Sequence, residues 1–148
     1  MATPLKYQKA IEEYIQYWET LTPRSIRLIE KISVMHFRFR DPFHDLQGHD
    51  AFEKMLAQSF ERSEKISFKT TDVAWGRDAQ TAYLRWIVTI TTKKKHQTIT
   101  LEGMSEVSFD ENGMAVNHID HWDSTSQLFA KLPLIGGLFR WLLQKAAS

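Results

Sequence analysis

Residues 118–123 read HIDHWD, which places two imidazoles, two carboxylates and an indole in six positions. Histidine and aspartate together can ligate a divalent metal or move a proton as acid and base. A strand's period of two decides between these uses. It sets Val116, His118, Asp120 and Trp122 on one face and Asn117, Ile119, His121 and Asp123 on the other. His118 and His121 therefore diverge, and a metal would need His44 or His49 to join His118 and Asp120. The chain has no cysteine, so thiolate sites and cysteine nucleophiles are excluded. No metal or cofactor is expected. Asp120 and His118, two residues apart on one face, are the candidate catalytic pair, close enough to share a proton or a water.

The elements that must position this pair follow from periodicity. Thr3-Pro4 resembles an N-cap followed by proline at the first helical position. Tyr7, Ile11, Tyr14, Trp18 and Leu21 then stripe one face of a helix. Thr22-Pro23 repeats the start signal before a second, short helix striped by Ile26, Ile29 and Ile32. Residues 34–40 (VMHFRFR) alternate as a strand until Asp41-Pro42, with Phe37, Phe39 and Asp41 on one face and Arg38 and Arg40 on the other. After FHDLQG, a third helix begins near Gly48, with Phe52, Met55, Leu56, Ser59 and Phe60 as its buried stripe. From Ile66 the chain reads as a meander of four strands: 66–75, 82–90, 98–109 and 114–123. The DENG segment before the last of them is a hairpin turn, since Asn112-Gly113 tolerates positive φ. Leu84, Trp86, Val88 and Ile90 form a continuous apolar face on the second of these strands, as do Ile99, Leu101, Val107 and Phe109 on the third. Helices grouped ahead of a meander predict an α+β fold with helices packed on a curved sheet.

The chain has 148 residues, 43% hydrophobic and 25% charged, enough to bury one core. A single domain is expected, with a core over 4–124 and an apolar helical tail over 125–147. The net charge of +1 gives no electrostatic reason to expect nucleic acid. The first residues lack the apolar core of a signal peptide, and no stretch is long and apolar enough to span a bilayer. A cytoplasmic location is the expectation.

FRFRDPFHDLQGHDAFEKM and LEGMSEVSFDENGMAVNHIDHWD, in this order of elements, resemble the SnoaL-like proteins of the nuclear transport factor 2 superfamily. The resemblance covers essentially the whole chain. It implies a cone-shaped α+β barrel with a deep pocket open at one end, and dimers formed through the sheet. The superfamily includes polyketide cyclases, steroid isomerases, epoxide hydrolases, dehydratases and non-catalytic members, so the fold does not settle function. In the SnoaL-like pattern, the aspartate matching Asp120 faces the pocket and acts as acid or base. Steroid isomerases of this fold donate a tyrosine hydroxyl to a developing oxyanion, a role for which Tyr14 is the candidate, although packing as a core tyrosine competes with it. Epoxide hydrolases of this fold clamp a water with an Arg and an Asp on a neighbouring strand, where this sequence has Gly103 and Ser105. That departure speaks against epoxide hydrolysis.

Trp18, Phe39, Asp41, Trp86 and Trp122, with Tyr14, are the expected lining for a small apolar or polycyclic ligand. Asp41-Pro42 equally reads as the start of a turn. Two non-catalytic readings stand beside the isomerase or cyclase: a lipid or small-molecule binding protein, and a dimeric adaptor using Arg85, Ile87 and Thr89 on the outer sheet face. The tail, SQLFAKLPLIGGLFRWLLQK, reads as two short helices broken at Pro133 or at Gly136-Gly137. It is expected to cap the barrel mouth or a dimer partner, in preference to docking on a membrane through Arg140, Trp141 and Lys145.

Overall fold

Six strands form one sheet in the computed structural model, which describes residues 4–132 and 135–147. Helix α1 spans Leu5–Glu19, and a 3-10 turn at Ile26–Leu28 leads into the single turn of α2, Ile29–Ile32. Strand β1 (Ser33–Arg40), a short β2 (Asp45–Gln47) and helix α3 (His49–Arg62) follow. The meander is β3 (Ser63–Trp75), β4 (Thr81–Thr92), β5 (Thr98–Phe109) and β6 (Ala115–His121). Beyond it lie α4 (Ser124–Gln127), a 3-10 turn at Phe129–Lys131, and α5 (Gly136–Ala147). The strand order is β2-β1-β6-β5-β4-β3, and every pairing is antiparallel except β1 with β6. The expected α+β architecture, helices against a curved and mainly antiparallel sheet, is the one observed.

Burial explains the curvature. Tyr7, Ile11 and Tyr14 of α1 and Phe52 and Leu56 of α3 share one core with Phe37 and Phe39 of β1 and with Val107 and Phe109 of β5. Register shifts in β3, between Ser63 and Lys65 and between Thr70 and Asp72, add twist where the long strands bend around that core. Glycine is required at two positions. Gly48 takes φ +88° where it opens α3, and Gly113 takes φ +78° in the β5–β6 turn.

Several boundaries differ from the expectation. FHDLQG is not merely a loop: Asp45–Gln47 add the edge strand β2, because Arg38 of β1 holds Asp45 with two hydrogen bonds, at 2.8 and 2.7 Å. Helix α1 starts at Leu5, with Pro4 in the capping position, and Thr3 lies outside the described residues. The second helix is shorter than its stripe suggests, and β3 begins three residues before Ile66. Strand β6 ends at His121, because the Asp123 side chain accepts from the Ser126 backbone and caps α4. In the β5–β6 turn only Gly113, not Asn112, takes positive φ. The Asp110 carboxylate instead accepts from the Asn112 and Met114 backbones at 2.9 Å each. Beyond that turn β6 carries one extra residue, Val116, where the ladder shifts between the pairing of Ser108 with Asn117 and that of Phe109 with Ala115. Ala115 is consequently fully buried while Val116 is only partly so, and Val116 drops out of the line with His118. In the tail, Pro133 and Leu134 lie outside the described residues. Gly136-Gly137 begin α5 rather than break a helix.

Candidate active site

Strand β6 delivers the pair. His118 faces Phe39 of β1 and Val107 of β5, and Asp120 faces Ser105 of β5. The His118 imidazole is 4% exposed and sits among the rings of Phe39, Trp18 and Tyr14, with centroids at 4.9, 5.3 and 5.8 Å. Such a ring needs partners at both nitrogens. The Tyr14 hydroxyl lies 2.7 Å from Nδ1, and Asp120 Oδ1 lies 2.6 Å from Nε2. On the other side of the carboxylate, the Ser105 hydroxyl donates to the same Oδ1 at 2.5 Å and accepts from Trp86 Nε1 at 2.7 Å.

The directions of these bonds follow from donor chemistry. An indole N–H can only donate, so the Ser105 proton must point onward to Asp120. Burial first, and Asp120 and Tyr17 beyond it, push the Tyr14 hydroxyl far above the ordinary tyrosine range, although Trp18 offsets part of this. Tyr14 thus keeps its proton and donates it to Nδ1. With Nδ1 accepting from Tyr14, the His118 hydrogen sits on Nε2 and is donated to Asp120. Two arms, Trp86–Ser105 and Tyr14–His118, therefore converge on one oxygen of Asp120, and Oδ2 accepts nothing among the described residues.

Asp120 borders an open cleft with Arg40, Asp45 and His121, and two further cavities that adjoin each other. One, of about 70 Å³, is also lined by Trp18, Phe68, Leu84, Trp86, Ser105 and His118. The other, of about 290 Å³, runs toward Phe39, Met55, Ile99, Leu101, Trp122 and Leu128. Trp18, Phe68, Trp86 and Val88 line both, so the two form one apolar interior divided by side chains.

Of the residues singled out from sequence, Trp18, Phe39, Asp41, Trp86 and Trp122 line the larger cavity together with Asp120. Tyr14 does not line either cavity: it is fully buried and holds His118 from behind. Asp41 is engaged in a turn, its Oδ1 accepting from the Phe43 and His44 backbones at 2.8 and 2.7 Å and from His44 Nδ1 at 2.9 Å. His49 pairs with Ser33, and the exposed His121 stands 3.8 Å from Glu106. Among the described residues, no three His, Asp or Glu side chains gather as a metal site. Ser105 is the residue that sequence reasoning noted only as a departure. Its signal was available in the register, since a hairpin closed at Asn112-Gly113 brings residue 105 opposite residue 120.

Two substitutions probe this geometry. Tyr14→Phe removes the donor to a buried Nδ1 and is expected to cost about 1–3 kcal/mol of stability. It should also release the His118 tautomer, which long-range ¹H–¹⁵N spectra of the ring would report. Unchanged ring nitrogen shifts would refute the assignment. Gly103 lies opposite Trp86, and a Cβ on it would stand 2.7 Å from the Trp122 Cβ and from two atoms of the Trp86 ring. Because the Trp122 Cβ is anchored to backbone, Gly103→Ala is expected to cost about 1–3 kcal/mol and to move the Trp86 indole off Ser105. Denaturant melts and tryptophan fluorescence would show both effects.

Comparison with known proteins agrees with this architecture. No curated protein sequence matches the chain. A structure described as a candidate SnoaL-like polyketide cyclase from Jannaschia sp. CCS1 superposes with a TM-score of 0.71 at 8% identity, covering 85% of this chain and 91% of that one. An NTF2-like protein of unknown function from Burkholderia pseudomallei K96243 gives 0.69 at 14% identity, covering 85% and 95%. An LEH-like epoxide hydrolase from M. tuberculosis gives 0.66 at 11% identity, covering 93% and 88%. These likenesses concern the fold. The model of the SnoaL-like domain matches residues 11–118, most of the chain. The chain belongs to the SnoaL-like family, with a fold like that of the NTF2-like proteins.

Proposed function

We propose that the protein is a cofactor-independent acid–base enzyme of the isomerase or cyclase type, acting on a small apolar or polycyclic carbon acid with Asp120 as the proton carrier. One observation carries the reading: both hydrogen bonds to Asp120 fall on Oδ1, which fixes the carboxylate and leaves Oδ2 for a ligand in the cavity. Oδ2 would take a proton from carbon and return it to another atom of the same molecule. His118 and Ser105 hold the carboxylate in place throughout and share its charge. Ser105, where the epoxide hydrolases of the fold have a clamping acid, favours proton transfer over water attack.

Proton exchange tests this without knowledge of the natural substrate. Enolisable cyclic ketones in D₂O are expected to gain deuterium at the α-carbon faster with the protein than with an Asp120→Asn variant, as followed by NMR. Equal rates across the panel would sink the proposal. A second reading, a lipid-type binding protein without turnover, is favoured by the almost wholly apolar and aromatic wall around Asp120. Mass spectrometry of molecules extracted from the native protein, finding a bound ligand that is never converted, would support it. We also propose a homodimer through the outer sheet face, where Arg85 and Met104 are exposed beside Ile87 and Thr89. A monomer by light scattering would count against it.

A further inference from the structure

The apolar tail divides into two parts. Leu128 lines the larger cavity, and Phe129 packs edge-on against Phe43 at 5.7 Å and stacks on Phe139 of α5 at 5.2 Å. Gly136 lies so close to Ala130 that a Cβ would meet its carbonyl oxygen at 2.6 Å, and Arg140 donates to the same carbonyl. Capping of the cone thus uses Leu128 and Phe129, and one face of α5, Gly136 and Phe139, secures the helix to them.

The opposite face of α5 stays largely exposed among the described residues. Leu138, Trp141 and Leu142, at helical spacing i, i+3, i+4, are 56%, 52% and 46% exposed. Lys145 continues this face one turn later, with its Nζ 5.0 Å from the Trp141 ring centre. From residue 124 to the end, the sequence holds Lys131, Arg140 and Lys145 and no Asp or Glu, so the remainder of the chain is slightly acidic. A second copy seated on this face would bring like-charged side chains together, with no Asp or Glu from residue 124 onward between them. A layer of anionic headgroups matches the net positive side-chain charge of the tail. The twelve residues of α5 extend about 18 Å, against a hydrocarbon core of about 30 Å. Among the described residues no helix is long and apolar enough to cross a membrane.

We propose that α5 docks the protein on an anionic bilayer surface. The helix lies in the plane of the interface, with Leu138, Trp141 and Leu142 in the acyl boundary and the Lys145 ammonium reaching the headgroups. The aromatic series Phe43, Phe129 and Phe139 runs from the cavity to this helix, so docking sets the mouth of the cone beside the membrane. Resting on the function proposed above, this narrows the ligand to an apolar molecule resident in the bilayer. The docking itself does not depend on Asp120.

The test is flotation of the full chain with vesicles of phosphatidylcholine alone or mixed three to one with phosphatidylglycerol. The protein is expected to float with the anionic vesicles and to be released in part by high salt. A Leu138→Glu, Trp141→Glu double variant, altered only at exposed positions, should float at least about tenfold less well. Absence from the anionic vesicles, or equal flotation of the variant, would overturn the proposal. So would self-association that the variant abolishes while vesicles bind neither protein, which would assign the face to a second copy. A failed deuterium-exchange assay leaves the flotation result standing, and the reverse also holds.

Discussion

Asp120→Asn should lower α-proton exchange, and turnover of a natural substrate once known, by about 10²–10⁴-fold while leaving the fold intact. The reason lies in how the carboxylate is held. Ser105 and His118 both donate to Oδ1, and an asparagine can present its carbonyl oxygen to the same two donors. The amide nitrogen then replaces Oδ2 and has no basic lone pair to offer. Circular dichroism and melting should change little, so lost activity would report chemistry rather than unfolding. Asp120→Ala is the informative contrast. It strands the Ser105 hydroxyl and the His118 N–H in a largely buried site and should cost about 1–3 kcal/mol of stability as well as activity. An Asn variant with the native rate would remove Asp120 from the proton path.

Phe52→Ala should be among the most damaging single changes in the chain, costing about 3–5 kcal/mol and lowering the melting temperature by roughly 10 °C. Phe52 is fully buried on α3 and packs against Trp18, Phe37 and Phe39, with centroids at 5.9, 5.4 and 5.3 Å. Trp18 and Phe39 are the rings that flank His118, so the cavity left by the deletion opens behind the wall of the site. Phe52→Leu, which retains most of the volume, should lose less than half as much. Denaturant unfolding of the two variants measures the difference. Equal losses would mean that the ring does not support its aromatic neighbours in the way the packing indicates.

Local pattern was enough for much of this architecture. The helical stripes of α1 and α3 and the alternation of the four long strands are repeating signals carried by many residues at once, and each survives a misplaced end. Their boundaries were less legible because single side chains set them. Asp123 stops β6 by capping α4, and Arg38 recruits Asp45 into an edge strand that no run of β-formers announces. The start of β6 shows the same limit: the extra residue Val116 in the ladder puts Ala115 in the core, which strict alternation from His118 backwards cannot foresee.

The candidate site divides along the same line. Strand parity alone separated His118 and Asp120 from His121 and Asp123, because the alternation of side chains is a property of the backbone. Pairing across the sheet and packing of a helix beneath it are not. Only the folded chain brought Ser105 and Trp86 to one side of Asp120, and Tyr14, 104 positions away from His118, to the other. The amino-acid order thus determined which groups share a face and that an aspartate and a histidine stand next to each other on it. Tertiary structure decided that both hydrogen bonds fall on one carboxylate oxygen, that Tyr14 serves the histidine rather than the cavity, and that Leu138, Trp141 and Leu142 of α5 are exposed. Hydrogen-bond direction and burial depend on neighbours distant in sequence, which no local period can encode.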